Sequence, residues 1–135
     1  MSRRSRAREV ALQVLFQEDL NPAASATRAD AFLSGRLQGR TDVVEFARSL
    51  VGGVRRHRSA LDSRLSDIAD NWALGRMAAT DRNVLRLGAF EILYTDVPDR
   101  VAINEAVELA KRYGSAQSSQ FVNGILDRLL TRGKR

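Results

Sequence analysis

The chain has 135 residues, no cysteine, 22 lysines and arginines, 16 aspartates and glutamates, and a net charge of +6 at pH 7. A chain of this length is typical of one domain around one core, so we expect residues 1–135 to form a single domain. The lack of cysteine excludes disulfides and thiolate metal sites. No apolar run approaches the ~20 residues needed to cross a bilayer, and the N-terminus is unlike a signal peptide. We therefore expect a cytoplasmic protein without a membrane segment.

The apolar residues repeat with helical spacing along nearly the whole chain and almost never alternate with period two. A first helix is predicted over residues 4–19, and Asn21-Pro22 ends it. Its apolar face is wide, consisting of Ala7, Val10, Ala11, Leu12, Val14, Leu15 and Phe16. A face this wide indicates contact with more than one neighbour. A second, shorter helix should begin at a capping box formed by Thr27 and Asp30 and continue through Leu37.

The third helix is the longest, and its apolar residues keep one heptad register that only Arg58 interrupts. The residues in register are Val44, Ala47, Val51, Val54, Leu61, Leu65 and Ile68. The register survives Gly52-Gly53, which favours one continuous helix over two helices with a hinge. After a linker containing Trp72 and Gly75, Thr80 should cap a helix over residues 81–94.

Two further helices follow Pro98, and Gly114 is expected to close the first of them. The sequence therefore predicts an all-α fold, a compact single-domain bundle of about six or seven helices.

The sequence argues against catalysis. The one histidine, His57, lies in the basic run Arg55–Arg58, where neighbouring positive charge makes it a poor base and a poor metal ligand. No second histidine or cysteine is available for a transition-metal site. Gly52-Gly53 lacks the spacing and context of a phosphate loop, and no nucleophile motif surrounds any serine. We expect no enzyme activity, no cofactor and no metal.

The positive charge is concentrated in three runs. Arg3, Arg4, Arg6 and Arg8 crowd the first eight residues, and Glu9 is the first acid to oppose them. Because these arginines lead directly into a helix that must pack, we interpret them as a nucleic-acid contact rather than a solvated end. The runs Arg55–Arg58 and Arg128–Arg135 are more typical of solvated helix surface.

Two segments near the C-terminus are more specific than amphipathic helices require. They read VAINEAVELAKRYG over residues 101–114 and FVNGILD over residues 121–127. Packing explains their apolar residues but not the polar ones set among them, which are Asn104, Glu105, Lys111, Asn123 and Asp127. This pair of segments resembles the C-terminal signature of the NusB family of bacterial transcription antitermination factors. The resemblance extends to residues 4–9 and 83–87.

The resemblance implies a function and two binding surfaces. Members of this family bind the single-stranded boxA element of nascent ribosomal RNA transcripts together with NusE, a ribosomal protein, and join the elongating RNA polymerase complex to suppress termination. Matched position by position, the RNA-binding residues would be Arg3, Arg4, Arg6, Arg8, Lys111, Gln117 and Phe121, and the NusE-binding residues would be Phe16 and Asp81. For Phe121, core packing with Ile125 is an equally good interpretation. Ser5 stands where an arginine is common in the family, and Phe16 stands where a tyrosine is usual.

Two other classes of protein are compatible with a small basic helical chain. A helix-turn-helix DNA-binding protein would need a short basic recognition helix behind a glycine-containing turn, and no segment fits this pattern cleanly. The alternative function is a stand-alone helical protein-interaction domain related to the N-terminal domain of ribosomal RNA methyltransferases.

Overall fold

The structure, a computed structural model, describes residues 2–69 and 74–132. These residues form six α-helices and one short 3₁₀ turn: α1 (Arg3–Leu20), α2 (Ala26–Arg36), α3 (Thr41–Ile68), the turn Leu74–Arg76, α4 (Ala79–Tyr94), α5 (Asp99–Tyr113) and α6 (Ser118–Thr131). No strand occurs within this described part, and the all-α prediction is confirmed. Trp72, Lys134 and Arg135, which entered the sequence interpretation, lie outside the described residues.

The chain divides into two compact units, Met1–Arg55 and Arg56–Arg135. The first contains α1, α2 and the N-terminal half of α3, and the second contains the rest of α3 with α4, α5 and α6. Our expectation of a single domain stays a prediction. In the described residues, no helix is long and apolar enough to cross a bilayer.

Helix α3 runs for 28 residues without a break, as the heptad register predicted. All seven apolar residues of the register are buried, and Arg58, the one interruption, is exposed. Gly52 and Gly53 lie inside the helix, and the prediction of one continuous helix is confirmed.

Two predicted helix starts are wrong. The first turn of α2 is capped by Ser25, whose Oγ accepts a hydrogen bond from the backbone N–H of Arg28 at 3.3 Å. Thr27 therefore lies inside the helix, and the Asp30 carboxylate accepts hydrogen bonds from Arg48 instead of closing a capping box. Helix α4 begins at Ala79, and its N-cap residue is Ala78, which has no side chain that can cap the helix. Thr80 is therefore a helical residue rather than the N-cap.

Close packing in the second unit depends on Gly88 of α4. A Cβ atom at this position would lie 2.8 Å from Leu126 Cδ1 of α6 and 3.2 Å from Ala106 Cβ of α5. A larger residue would therefore force the end of the Leu126 side chain to shift and would crowd Ala106. The polar end of α6 also contributes to this unit. Arg128 Nη1 and Arg132 Nη1 donate hydrogen bonds of 3.2 and 3.1 Å to the carbonyl oxygens of Ile68 and Asp67 at the end of α3.

Candidate nucleic-acid interface

The arginines of α1 fall on two faces of the helix. Arg3 and Arg6 are three residues apart, and Arg4 and Arg8 are four apart, so each pair shares one face. The helix starts early enough to include all four, because the Ser2 Oγ accepts a hydrogen bond from the backbone N–H of Ser5 at 3.0 Å and caps the first turn. The predicted RNA-binding motif is therefore a helical surface rather than an extended tail.

Arg4 and Arg8 both lie over the ring of Phe46, an aromatic residue of α3. The guanidinium carbons are 4.2 Å and 5.1 Å from the ring centroid, within the range of cation–π attraction. Arg4 is exposed, but Arg8 is only 4% exposed. The sequence interpretation grouped the two arginines, whereas the structure places Arg4 on the surface and Arg8 in the interior. The sequence did not indicate a role for Phe46, because the residues around it in α3 give no sign that arginines of α1 will lie over its ring.

Arg3 and Arg6 are held by carboxylates. Arg3 Nη1 lies 2.9 Å from Asp42 Oδ2, and both side chains are largely exposed. Arg6 forms an ion pair with Glu9, whose side chain is buried. An exposed ion pair such as that of Arg3 and Asp42 contributes little stability and exchanges readily with other partners. Arg3 is therefore open to an incoming anion, whereas Arg6 is partly covered, with a side chain that is 37% exposed.

Lys111, Gln117 and Phe121 belong to the second unit and surround the turn between α5 and α6. Lys111 is exposed and pairs with Glu108 at 3.5 Å, and Gln117 is exposed at the start of α6. Phe121 is half-buried in the first turn of α6, where its backbone N–H donates to the Gln117 carbonyl at 3.1 Å. One aromatic ring, one amide and one ammonium thus flank a single turn. This set can stack on a base, bond to a base edge and attract a phosphate.

The turn itself is fixed by Ser118, which the sequence analysis missed. Ser118 is buried, and its Oγ accepts a hydrogen bond of 2.8 Å from the backbone N–H of Ser115. A Cβ atom on Gly114 would lie 2.4 Å from that Oγ and 2.7 Å from the Ala110 carbonyl oxygen. Gly114 ends α5, as predicted, and its lack of a side chain makes room for the serine. The Gly114 to Ser118 spacing is the sequence signal, but its meaning depends on a contact visible only after folding.

Phe16 and Asp81, the predicted partner-binding residues, lie on different helices and in different units. Phe16 is half-buried near the C-terminal end of α1, as expected for a residue at the edge of the apolar face. Asp81 lies in the first turn of α4, where a carboxylate is favoured by the positive end of the helix dipole. Its Oδ1 atom is buried and accepts no hydrogen bond from the described residues.

The acidic residues and the histidine of the described part form no metal site. In residues 2–69 and 74–132, no three His, Asp or Glu side chains lie together in a way that could hold a metal ion. The His57 ring is stacked on that of Tyr94, with 3.9 Å between centroids and an interplanar angle of 15°. Arg55, its neighbour in the second basic run, donates a 3.0 Å hydrogen bond from Nε to Glu18 Oε1.

Comparison with known proteins places these features in one family. The model of the NusB family matches residues 5–131. The chain is 48% identical over 128 residues to the transcription antitermination protein NusB of Anaeromyxobacter dehalogenans, covering 95% of this chain and 90% of that protein. It is 46% identical over 133 residues to the protein of the same name from Myxococcus xanthus, covering 96% and 95%.

Two solved structures are similar over nearly the full length. One is NusB from T. maritima, with a TM-score of 0.87 and 36% identity, covering 100% of this chain and 94% of that one. The other is a crystal structure of the antitermination factors NusB and NusE in complex with double-stranded RNA. Its matching chain has a TM-score of 0.82 and 26% identity, with 98% of each chain covered. The similarity in sequence, in fold and in the length matched shows that this chain belongs to the NusB family.

Proposed function

We propose that the chain is a transcription antitermination factor. It binds the single-stranded boxA element of nascent ribosomal RNA together with the ribosomal protein NusE, and the pair joins the elongating RNA polymerase complex. It acts in the cytoplasm by binding alone, without catalysis, cofactor or metal. The observation that carries the binding of NusE and RNA is the full-length similarity to a chain solved with NusE and double-stranded RNA, at a TM-score of 0.82. The proposed preference for single-stranded RNA rests instead on the surface around Phe121.

The arrangement of the α1 arginines supports RNA as the ligand. A guanidinium presents several donors in a planar fork that fits phosphate oxygens and base edges. Arg3, Arg4 and Arg6 are accessible, so we propose that they contact the RNA directly. For the buried Arg8 we propose a supporting role, in which it fixes the Phe46 ring on which Arg4 also lies.

The surface around the α5–α6 turn supports recognition of unpaired bases. Double-stranded RNA is read mainly by its shape and backbone, whereas sequence-specific proteins stack splayed bases on aromatic rings. We propose that Phe121 stacks on one base, with Lys111 and Gln117 contacting the neighbouring phosphate and base edge. This use of a half-buried ring favours single-stranded boxA over a duplex of the same sequence.

The partner surface is proposed at Phe16 and Asp81. A half-buried aromatic side chain can supply apolar area to a protein interface without being lost from the fold. Asp81 is half-buried at the start of α4, and we propose that the accessible part of its carboxylate accepts a hydrogen bond from a donor on the partner.

The test is a titration of fluorescently labelled boxA RNA with this protein, alone and with an equimolar amount of NusE. We expect weak binding by the protein alone, tighter binding with NusE, and weaker binding when the RNA is annealed to its complement. Equal affinities in the presence and absence of NusE would contradict the proposed joint recognition. Preference for the duplex would contradict the role given to Phe121.

A further inference from the structure

A cavity in the first unit brings together arginines from three parts of the chain. It has a volume of about 300 Å³ and lies between the start of α1, the end of α2 and the segment that leads into α3. Its lining residues are Ser2, Arg3, Arg6, Arg36, Leu37, Gln38, Arg40 and Val43. Four of these eight carry a guanidinium group and none carries a carboxylate. A concave site lined this way attracts anions.

Two of the four arginines form ion pairs with carboxylates, and the other two do not. Arg3 pairs with Asp42, and Arg6 pairs with Glu9. Within the described residues, Arg36 and Arg40 have no carboxylate partner. The Arg36 guanidinium carbon lies 5.6 Å from the centroid of the Phe32 ring, which holds the side chain without neutralising it. The cavity therefore has excess positive charge on the wall formed by α2 and the α2–α3 segment.

The backbone between α2 and α3 fixes where Arg36 and Arg40 stand. Gln38 and Gly39 both have positive φ angles, 57° and 65°. The Gly39 N–H donates to the Ser34 carbonyl at 2.9 Å, and the Arg40 N–H donates to the Leu37 carbonyl at 3.3 Å. A side-chain-bearing residue is uncommon in the left-handed region and stays there only when its surroundings hold it. This turn brings Arg40 back toward the cavity that Arg36 enters from the end of α2.

The chemistry of the lining favours a phosphate over a protein side chain. The apolar lining residues, Leu37 and Val43, are only 4% and 6% exposed, and more of the open lining is polar than apolar, so the cavity is poorly suited to an anchoring apolar side chain. Several guanidinium groups around one space match the oxygens of a phosphodiester, each of which can accept from more than one donor. The site is also continuous with Arg3 and Arg6, which the proposed function assigns to RNA.

We infer that this cavity binds a backbone phosphate of the RNA, and that Arg36 and Arg40 are RNA-binding residues. The inference rests on the proposed function and extends its RNA surface from α1 onto α2 and the α2–α3 segment. Arg3 and Arg6 form one wall of the phosphate site, and Arg36 and Arg40 form the other.

The test compares the R36Q/R40Q double variant with the single variant Arg28→Gln. Glutamine keeps much of each side chain's length and removes its charge. Arg28 is a matched control because it is an exposed arginine of the same helix that does not line the cavity. We expect R36Q/R40Q to bind boxA RNA about tenfold more weakly. This factor is the lower end of the range expected when a hydrogen bond to a charged group is removed. The double variant's plot of log affinity against log salt should flatten by up to about 0.7, the change for one phosphate contact, since two of the four arginines around that phosphate are removed. Arg28→Gln should bind as the unmodified protein does.

A second measurement identifies the phosphate. BoxA RNAs are made with one neutral methylphosphonate at successive positions and titrated with the unmodified protein and with R36Q/R40Q. One position should weaken binding to the unmodified protein clearly more than it weakens binding to the double variant, since both changes remove contacts with the same phosphate and the double variant keeps only Arg3 and Arg6 beside it. The R36K/R40K variant should restore most of the salt dependence. Thermal melts monitored by circular dichroism should show that all variants are folded.

The outcomes separate this inference from the proposed function. If the unmodified protein binds boxA RNA and R36Q/R40Q binds equally well, the phosphate site is wrong and the proposed function stands. A loss in Arg28→Gln of half or more of the loss in R36Q/R40Q would mean that only the number of charges removed matters, one against two, and would also overturn the site. Failure of the unmodified protein to bind boxA RNA, even with NusE, would overturn both.

Discussion

Arg86 of α4 and Asp62 of α3 form a two-pronged ion pair in which the arginine is buried and the aspartate is not. Arg86 Nε and Nη2 donate hydrogen bonds of 2.7 and 2.9 Å to the two carboxylate oxygens of Asp62. The arginine side chain is 4% exposed and the aspartate side chain 30%. Removing the aspartate leaves a buried charge without this partner, whereas removing the arginine leaves a carboxylate that water can reach.

The two ends of this pair should therefore differ in their effect on stability. We expect Asp62→Ala to lower the free energy of unfolding by about 1.5 to 3 kcal/mol, because Arg86 loses two charge-assisted hydrogen bonds but keeps the one that it donates to Asn83 Oδ1 at 3.2 Å. Arg86→Met keeps most of the buried volume and removes the charge, and it should cost less than Asp62→Ala. Urea denaturation of both variants measures the difference. A larger loss for Arg86→Met would contradict this account of the pair.

Arg4 and Arg8 should separate in their roles, although they lie over the same ring. Arg4→Ala should flatten the salt dependence of RNA binding by about 0.7 and change the free energy of unfolding by no more than about 1 kcal/mol. Arg8→Ala should instead lower the free energy of unfolding by about 1 to 3 kcal/mol, because its side chain is buried. Urea denaturation and RNA titrations over a range of salt concentrations test both. An unaltered salt slope for Arg4→Ala would remove this residue from the RNA surface.

Phe121→Ala distinguishes base stacking from core packing. If a base stacks on this ring, RNA binding should weaken by about 1 to 3 kcal/mol. Truncating a fully buried phenylalanine costs roughly 3 to 5 kcal/mol of folding stability. Because Phe121 is only half-buried, Phe121→Ala should cost less than this. Phe90→Ala is the control, since Phe90 is 6% exposed and belongs to the same unit. If both variants lose equal stability, Phe121 is a core residue and the stacking assignment is wrong.

The proposed NusE surface can be tested by adding or reversing charge. Phe16→Asp would place a carboxylate in an interface expected to be dry, which is costly when nothing opposite can pair with it. Asp81→Lys reverses a charge at the start of α4 and should cost only about 0.3 to 1 kcal/mol of folding stability. Both variants should fold, bind RNA alone as before, and fail to co-elute with NusE in gel filtration. Normal co-elution of both would move the partner surface elsewhere.

Acid should weaken the interaction between α2 and α3. The hydrogen bonds from Arg48 hold the pKa of the Asp30 carboxyl below its ordinary value of 3.8. A carboxylate whose pKa is lowered by folding stabilises the fold above the unfolded pKa, and this contribution disappears as the pH falls through the folded pKa. We therefore expect the unmodified protein to lose more stability than Asp30→Asn when the pH is lowered from about 5 to below 3. Melting temperatures measured across this range provide the comparison, and parallel curves would contradict it.

The sequence predicted helices and their cores well because both depend on periodic apolar spacing. The predicted α3 register is correct through Gly52-Gly53. Burial of one apolar face stabilises the helix by more than the low helix propensity of two glycines destabilises it. Helix starts were less predictable. Ser25 and Thr27 are both good caps, and only the path of the chain determines which is used.

The candidate site was predictable only in part. The density of arginines at the N-terminus identifies a basic helix, but not which of its side chains will be buried. Arg8 is buried because Phe46, from another helix, lies beside it. Arg36 and Arg40 look like ordinary surface charges in the sequence and share a cavity with Arg3 only after the α2–α3 segment turns back. Proximity of this kind arises from tertiary packing and leaves no local pattern.

The fit between Gly114 and Ser118 constrains how this turn can evolve. A side chain at position 114 would collide with the serine Oγ and with the Ala110 carbonyl oxygen, and the second collision would remain if the serine were replaced by alanine. Loss of the serine alone would leave the Ser115 N–H without its hydrogen bond. No single substitution of Gly114 is therefore neutral. A second substitution at position 118 cannot compensate, because the collision with the Ala110 carbonyl oxygen remains. We expect this turn to change more slowly than exposed helix positions on either side of it, whether or not RNA is the agent of selection.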